Sequence, residues 1–515
     1  MLRRVRRLRL GLVLLVAIGV HACESYQFTP FDYDKIIHVS AALSWLKGRG
    51  FTIPGTGPGG PADPVYTPLL GHPPGYGYAV ALAAHATHDP WWSTFAVDIA
   101  ATTIFLVAWG VLVDAVFGWR AALGLLALWT VTYGPIATAT SSDLLAMACY
   151  SASVASAGLV LSATGLPLLA GSALAGLLMG VTCGVRYAYW PLVVVVPLAI
   201  LAARRDRQAA GFAAVYFAIS MSAIAATAWF MRRTTGEAEF LTRAYAPAHR
   251  AFFWSQLRTV YPFPAEALGV DRLSVRLALG RPLLTAWMPS MLWMLSALVL
   301  ALLAWSLWPD VRRTVDGRND PRARFFLVGG LLTVGATLAE MLWLTVRLPA
   351  AADGWTVGAE ARYFMPVLMF VSAWLWLAVR PDAGVSRPTR AAAIALLTLV
   401  VLATVPFRLV RLQQYFAKNV HTAWLSAERR ERASVIIDAI RRADRGTVPP
   451  IVVDNDPKWR RAVATMGGAL VVEPSALPPC VAGQPLTVLE ATSADGRTDL
   501  DAALVSRVVP ACAVR

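Results

Sequence analysis

The residues best suited to chemistry lie between the first two long apolar segments, in a loop spanning 24–92. Asp32 and Asp34 follow the first apolar segment, and His72 precedes the next one. Carboxylates are costly to place beside lipid, so residues of this kind are candidates for function. Carboxylate and imidazole groups placed within hydrogen-bonding distance of a reacting group can accept or donate a proton.

Asp34 stands at the start of the segment 35–46, which reads as an amphipathic helix lying on the membrane surface. The N-terminal end of a helix favours a carboxylate, because its N–H groups are unpaired and the helix dipole is positive there. Asp34 or Asp32 could therefore be a helix cap with no catalytic role. His72 precedes two prolines and could simply begin a helix.

The composition indicates an integral membrane protein. The chain of 515 residues is 57% hydrophobic and only 15% charged, with a mean hydropathy of +0.55, whereas soluble domains are about a quarter charged. The formal charge of +15 comes mostly from short basic clusters between apolar segments. This pattern is typical of the cytoplasmic loops of membrane proteins, and it disfavours nucleic acid as a partner.

A bilayer-spanning helix needs about 20 mostly apolar residues, and the sequence contains about eleven such segments. They are 9–23, 93–117, 121–140, 143–163, 166–186, 188–203, 209–231, 284–308, 325–347, 361–380 and 391–411. The first is predicted to be an uncleaved anchor. With the N-terminus inside, the basic clusters at Arg120, Arg204, Arg322 and Arg387 all fall on the cytoplasmic side. The short apolar segment 74–88 is expected to lie on the outer surface as an interfacial or re-entrant helix.

The odd number of spans places the C-terminus outside a bacterial plasma membrane. Residues 1–411 are then a transmembrane module, and 412–515 are a small extracytoplasmic α/β domain. Its predicted helices and strands are, in chain order, a helix at 427–445, a strand at 450–454, a helix at 460–466, and strands at 469–472 and 485–489. Cys480 and Cys512 both belong to this domain and could pair, since disulfides form in oxidising compartments. The outer loop at 232–283 carries unusually many arginines for its position.

Five short motifs follow one another along residues 1–410. They are Asp34 to Ala42 with Gly48-Arg49-Gly50-Phe51, then His72-Pro73-Pro74-Gly75-Tyr76, Asp143 after Pro135, Arg186 after Gly180 and Gly184, and Glu360-Ala361-Arg362-Tyr363-Phe364-Met365-Pro366. Together they resemble the motifs of GT-C fold glycosyltransferases, above all the protein-mannosyltransferase and aminoarabinose-transferase group. Lys35 and His38 depart from that pattern, which has Glu and Tyr at these positions.

The resemblance implies a mainly α, polytopic membrane helix bundle with interfacial helices in its first outer loop. It also implies an enzyme that transfers a sugar from a polyprenyl-phosphate donor to a hydroxyl of a protein, lipid or polysaccharide acceptor. The catalytic candidates are Asp34, Asp143 and His72. Asp34 is favoured as the base because its spacing to Ala42 and Gly48 fits the motif, while Asp32 remains a further candidate.

Loss of a phosphate from the anomeric carbon builds negative charge, which guanidinium groups stabilise. The residues assigned to the donor phosphate are Arg186, Arg362, Tyr363, Arg250 and Arg258, with Glu360 as a further candidate near them. An arginine at the end of a span also commonly reaches to lipid head groups. Asp143 could only cap its helix.

Two other functions stay open. A transporter or flippase of envelope lipid intermediates would need ionisable groups at mid-bilayer and symmetrically broken helices, and the acidic residues here gather at the outer face instead. A non-catalytic scaffold would use the aspartates only as helix caps. A divalent cation is possible but is not required, because arginines could neutralise the departing phosphate.

Overall fold

The computed structural model describes residues 2–28, 33–69, 72–132, 141–204, 206–235, 320–347, 365–379, 386–416, 427–444, 448–454, 459–481, 485–492 and 503–512, with Gly446 and single residues or short pieces between 294 and 313. Most of the predicted outer loop at 232–283 and most of the predicted span at 284–308 lie outside the described residues, as does the loop at 348–360.

The described chain is mainly helical. Its helices are α1 Leu2–Phe28, α2 Tyr33–Leu46, α3 Gly75–Thr87, α4 Pro90–Phe117, α5 Trp119–Val131, α6 Ser141–Leu159, α7 Gly165–Val185, α8 Val195–Arg204, α9 Arg207–Thr235, α10 Pro321–Arg347, α11 Met365–Val379, α12 Arg387–Phe416, α13 Ala427–Ala443 and α14 Trp459–Met466. A 3-10 segment, Tyr187–Val194, leads into α8.

Six stretches in the described residues are long and apolar enough to cross a membrane. They are Trp92–Phe117, Gly165–Val185, Tyr187–Arg204, Arg207–Thr234, Pro321–Glu340 and Arg387–Pro406. Helix α3, in the short apolar segment at 74–88, has 13 residues, which is about 20 Å and well short of a bilayer core of about 30 Å. The chain is an integral membrane protein, and the predicted number of spans stays a prediction.

The chain divides into two compact units. The first comprises Met1–Glu24, Ile99–Arg232 and Glu237–Asn419, and the second comprises Ser25–Asp98, Arg233–Gly236 and Val420–Arg515. The first outer loop and the C-terminal region therefore belong to one compact unit. The predicted boundary near residue 411 rests on membrane topology rather than on contacts, and it stays a prediction.

Tryptophans join four helices inside the first unit. The buried Trp109 of α4 packs against Trp129 of α5 and Phe370 of α11, with ring centroids 5.6 and 5.1 Å apart. Its indole N–H donates to Ser151 Oγ of α6 at 3.1 Å, and that of Trp129 donates to Ser372 Oγ at 3.0 Å. These donors are satisfied inside the bundle, as an environment with little water requires.

A line of glycines lets α7 and α9 approach each other closely. A Cβ atom on Gly176 would lie 2.8 Å from the carbonyl oxygen of Tyr216, and one on Gly180 would lie 2.5 Å from the Cβ of Ala223. Ser220 Oγ of α9 donates to the Gly176 carbonyl at 3.1 Å. Small residues four apart commonly allow this kind of backbone contact between membrane helices. The Gly-rich sequence before Arg186 is thus explained by helix packing.

Arginines tie several helix ends together at one end of the first unit. Arg322, at the start of α10, donates to the Ala115 carbonyl of α4 at 3.0 Å and to Ser162 Oγ at 3.2 Å. Arg204, at the end of α8, donates to the Ala163 carbonyl at 2.7 Å. Two of the basic clusters predicted to share the cytoplasmic side, at Arg204 and Arg322, therefore do share one end of this unit.

The second unit contains α2, α3 and a β-hairpin between them. Strands β1, Thr52–Gly57, and β2, Gly60–Pro68, pair antiparallel. No strands were expected here from sequence, because the prolines and glycines between Thr52 and Pro68 are typical of a loop. A two-stranded ribbon tolerates them, since each strand has an edge that needs no partner.

The same unit contains a four-stranded sheet in the order β4-β3-β5-β6. Its strands are β3 Ile451–Val453, β4 Leu470–Val472, β5 Leu486–Thr492 and β6 Ala503–Val509. Strand β3 runs parallel to β4 and β5, while β6 is antiparallel to β5. The helices and the first three strands fall where the sequence predicted them, and β6 was missed.

A disulfide joins Cys480 to Cys512 beside this sheet, a pairing that the sequence allowed but left open. The core of the sheet is aliphatic, and Ala62 of β2 packs against it. The hairpin of the first outer loop therefore contacts the C-terminal sheet.

Candidate functional site

Helix α2 carries the candidate base. Asp34 is the second residue of α2, and Asp32 lies outside the described residues, as does the side chain of Asp34. His38 follows Asp34 by one helical turn and is fully buried. Its ring lies edge-on to the rings of His72 and Tyr76, with centroids 5.1 and 5.3 Å away.

His72, a predicted catalytic residue, therefore lies against α2 just beyond Asp34. The helix-start interpretation of His72 also has support, because α3 begins at Gly75 directly after the two prolines. Gly77 of α3 is in close contact with the ring of Phe51, at a distance that leaves no room for a side chain. The Gly75-Tyr76 and Gly50-Phe51 motifs are thus parts of one packed contact between α2 and α3.

Lys35, one of the departures from the expected motif, is buried in an ion pair. Its Nζ lies 2.7 Å from Oδ2 of Asp98 on α4, and both side chains are about 1% exposed. The lysine therefore holds the first turn of α2 to α4. The sequence allowed Asp98 only a structural polar contact, and its pairing with Lys35 was not predicted, because nothing in the sequence relates two residues 63 positions apart.

Asp143 and Arg186 form a second ion pair, in the first unit. Arg186 Nε donates to Asp143 Oδ1 at 2.6 Å and Nη2 donates to Oδ2 at 3.3 Å, a two-pronged contact. Asp143 is 2% exposed and Arg186 is 6% exposed. Asp143 lies in the first turn of α6 and Arg186 caps the end of α7. Both residues were predicted site residues, and the structure brings them together.

This pair lies at the opposite end of α6 and α7 from the arginine cluster. Helix α6 has 19 residues, so it separates its two ends by roughly 28 Å. The chemical roles of the two residues are linked by the contact. A carboxylate bonded in this way orients the guanidinium.

The surroundings of the pair include a phenol and a carboxylic acid. Tyr189 is buried next to the ring of Tyr150, with centroids 5.9 Å apart, and it interacts electrostatically with Asp143, Arg186 and Glu340. Glu340 of α10 is 8% exposed. The sequence places Glu340 inside an apolar span without indicating a role for it. Tyr189 belongs to no sequence motif, so it could not be identified as a site residue from the sequence.

The remaining candidates, Arg250, Arg258, Glu360, Arg362 and Tyr363, lie outside the described residues. Their assignment stays a prediction. In the part of the chain that the structure describes, no three His, Cys, Asp or Glu side chains come together in a way that could hold a metal ion.

The chain has the GT-C fold. Two solved structures illustrate the likeness. ArnT from Cupriavidus metallidurans bound to undecaprenyl phosphate matches with a TM-score of 0.52 and 12% identity, over 97% of this chain and 97% of that one. An oligosaccharyltransferase from Archaeoglobus fulgidus, in complex with Zn and sulfate, matches with a TM-score of 0.51 and 13% identity, over 91% of this chain.

The chain spans 63% of the length of the Archaeoglobus oligosaccharyltransferase. No protein-family model and no curated protein sequence matches the chain. The fold expected from the five motifs is therefore confirmed by structure, at identities of 12% and 13% that establish the fold alone.

Proposed function

We propose that the protein is a membrane glycosyltransferase that transfers a sugar from a polyprenyl-phosphate donor to an acceptor hydroxyl. One observation carries the proposal: the chain matches, from end to end, a structure of ArnT bound to undecaprenyl phosphate. Asp143 and Arg186 belong to the motifs that resemble those of GT-C enzymes, and in the structure they form a buried ion pair.

In the proposed reaction the acceptor oxygen attacks the anomeric carbon as the bond from that carbon to the phosphate oxygen breaks. The hydroxyl proton passes to the Asp34 carboxylate, and the polyprenyl phosphate leaves with the bonding electron pair. A general base is needed because a neutral hydroxyl is a weak nucleophile. The position of Asp34 at the start of α2 favours its ionised form, since the N-terminal end of a helix stabilises negative charge.

Arg186 is the proposed ligand of the donor phosphate. Its guanidinium is oriented by Asp143, so it does not have to be ordered when the charge develops on the leaving group. Preorganised donors of this kind are a principal source of transition-state stabilisation. In this proposal Asp143 acts through Arg186 and does not touch the acceptor.

The proposed reaction takes place on the extracytoplasmic face of the membrane. The disulfide between Cys480 and Cys512 supports this orientation of the C-terminal region, since such bonds persist in oxidising compartments. The arginines gathered at one end of the first unit support a cytoplasmic location for that end.

A transfer assay with a mixed donor pool tests the proposal even though the sugar is unidentified. Source cells that lack the gene are grown on radiolabelled glucose, and their polyprenyl-phosphate-linked sugars are extracted. These are offered to the full-length protein in lipid nanodiscs with unlabelled envelope as acceptor. The expected result is one labelled donor that accumulates in the deletion strain and is consumed by the wild-type protein. If no donor accumulates and none is consumed, the proposed activity is wrong.

Three variants assign the base. Asp34→Asn should abolish transfer, and Asp32→Asn should retain it. Asp63→Asn is a matched control in the same loop, because in the described residues the Asp63 carboxylate accepts one hydrogen bond, from the Gly59 N–H at 3.0 Å, in an exposed part of the hairpin. If Asp32→Asn is inactive and Asp34→Asn is active, the base is Asp32. If both are fully active, the carboxylate mechanism fails.

A further inference from the structure

The turn that follows α2 contacts a single carboxylate from the far end of the sequence. Arg49 Nη2 lies 2.7 Å from both Oδ1 and Oδ2 of Asp444, and Lys47 Nζ lies 2.7 Å from Oδ2. Gly48 and Gly50 have φ angles of 76° and 72°, a conformation that glycine adopts without strain. These two glycines turn the chain so that Lys47 and Arg49 both reach the same carboxylate.

Tyr66 completes the contact from the β-hairpin. Its hydroxyl accepts a hydrogen bond from Arg49 Nη1, and the guanidinium carbon lies 4.6 Å from the centre of its ring. Burial and the nearby Asp444 carboxylate together raise the pKa of Tyr66 to about 12, while Arg49 acts in the opposite direction. The phenol is therefore neutral at physiological pH.

Asp444 is well enclosed for a carboxylate that follows a surface helix. Its side chain is 6% exposed, compared with 15% for Arg49 and 37% for Lys47. Charge-assisted hydrogen bonds in such a setting are stronger than those between neutral groups, and they exceed the small contribution of a fully exposed ion pair. Loss of the carboxylate would leave two cations side by side at the end of α2.

Helix α2 is consequently held at both of its ends. Lys35 in its first turn pairs with Asp98, and the residues just after its last turn pair with Asp444. Helix α2 also packs against α14 of the C-terminal region. Helix α2 has 14 residues and is rigid over this length. Fixing its C-terminal end therefore also fixes the direction of its first turn.

We propose that Asp444 is a positioning residue for the transfer reaction. By holding Lys47 and Arg49, Asp444 sets the direction of α2 and thereby the placement of Asp34. This positioning role rests on the proposed function of Asp34 as the base. Asp444 does not touch substrate in this proposal. A small misplacement of a catalytic group lowers the rate by up to about a hundredfold. Loss of the contact between Asp444 and the residues after α2 is therefore expected to lower kcat.

The test compares three variants of the full-length protein in nanodiscs. Asp444→Asn removes the charge, Asp444→Glu retains it, and Asp438→Asn is the matched control. Asp438 lies on α13 just before Asp444, and its side chain is 57% exposed with only a 3.5 Å contact to Arg441. Titration of free thiols verifies in each variant that the Cys480–Cys512 disulfide has formed and that the C-terminal region has folded.

The first readout is amide hydrogen exchange in the peptides covering α2, which needs no donor. Asp444→Asn should accelerate exchange there by about tenfold through local opening, and Asp444→Glu should restore most of the protection. Asp438→Asn should match the wild type. Unchanged exchange in Asp444→Asn would overturn the proposal.

The second readout is steady-state transfer from the same labelled donor pool. Asp444→Asn should lower kcat by about tenfold or more and leave the KM for the donor within about twofold. A rise in KM with unchanged kcat would mean that Asp444 serves binding, and it would also overturn the proposal. If the wild type itself transfers nothing, the proposed function fails, whereas an active wild type with an equally active Asp444→Asn refutes only the positioning role.

Discussion

The ammonium group of Lys35 lies 2.7 Å from the Asp98 carboxylate, with both side chains about 1% exposed. Lys35 directly follows the candidate base Asp34, at a position where the resembling enzymes have an acid. The pairing explains why a lysine is acceptable there, since its charge is neutralised within the protein. A buried pair of this kind adds little net stability, but it is costly to break by removing one partner.

Replacement of Lys35 by methionine should therefore be strongly destabilising. The Asp98 carboxylate would lose its cationic partner, and we expect a loss of about 3–5 kcal/mol in the free energy of unfolding. Equilibrium unfolding in mixed detergent micelles measures the change. The double variant Lys35→Met/Asp98→Leu should recover most of the loss. Equal destabilisation by the single and double variants would show that the two residues are not coupled.

If Arg186 holds the donor phosphate as proposed, Arg186→Lys should weaken the binding of undecaprenyl phosphate by about tenfold, because lysine cannot reproduce the two-pronged geometry of a guanidinium. Asp143→Asn should have a smaller effect of the same sign, since Arg186 keeps its charge but loses its orientation. Native mass spectrometry of the full-length protein with added undecaprenyl phosphate measures both. If the two variants lower the thermal stability and leave lipid binding intact, the ion pair serves only the structure.

Gly176→Ala should destabilise the helix bundle. The new methyl group would lie 2.8 Å from a backbone carbonyl of α9, which cannot rotate away as a side chain can, and overpacking of this kind costs about 1–3 kcal/mol. Gly335→Ala on α10 is the control, because no atom of the described residues lies within 4 Å of the position of its Cβ. Unfolding in mixed micelles should show a loss for the first variant and none for the second.

The contact at Asp444 should weaken in acid. Burial raises the pKa of Asp444, but hydrogen bonds from Lys47 and Arg49 lower it by more, so the pKa is below its ordinary value. A lowered pKa in the folded state gives stability that is present above the unfolded value, near pH 4, and is lost as the pH falls below it. The difference in Tm between the wild type and Asp444→Asn should be constant from about pH 7 to 5 and should shrink below about pH 4. A difference that does not change with pH would contradict this origin.

The helices that cross the membrane were accessible from sequence because their signal is local. The segment predicted at 166–186 is a helix from Gly165 to Val185, and the charge pattern correctly grouped the clusters at Arg204 and Arg322. The β-hairpin was not predicted, because the glycines and prolines in its strands are typical of a loop. Hydrophobic composition indicates which segments avoid water, but it does not distinguish an irregular strand from a loop.

The pairings within the candidate sites could not be predicted in the same way. Asp143 and Arg186 were chosen singly, each at the end of a span, and their contact depends on how α6 packs against α7. Lys35 and Asp98, or Arg49 and Asp444, carry no shared sequence pattern. A single sequence contains no direct information on contacts between distant residues, which arise only when the helices pack.

The contact between Arg49 and Asp444 has a consequence for biosynthesis, because 395 residues separate its partners. The helix that carries the proposed base is synthesised early, and the carboxylate that anchors its C-terminal end is synthesised long after it. A partly synthesised chain would insert its membrane helices with the C-terminal end of α2 still unanchored. On the proposed function, a nascent chain would therefore gain a correctly placed base only after Asp444 has been synthesised.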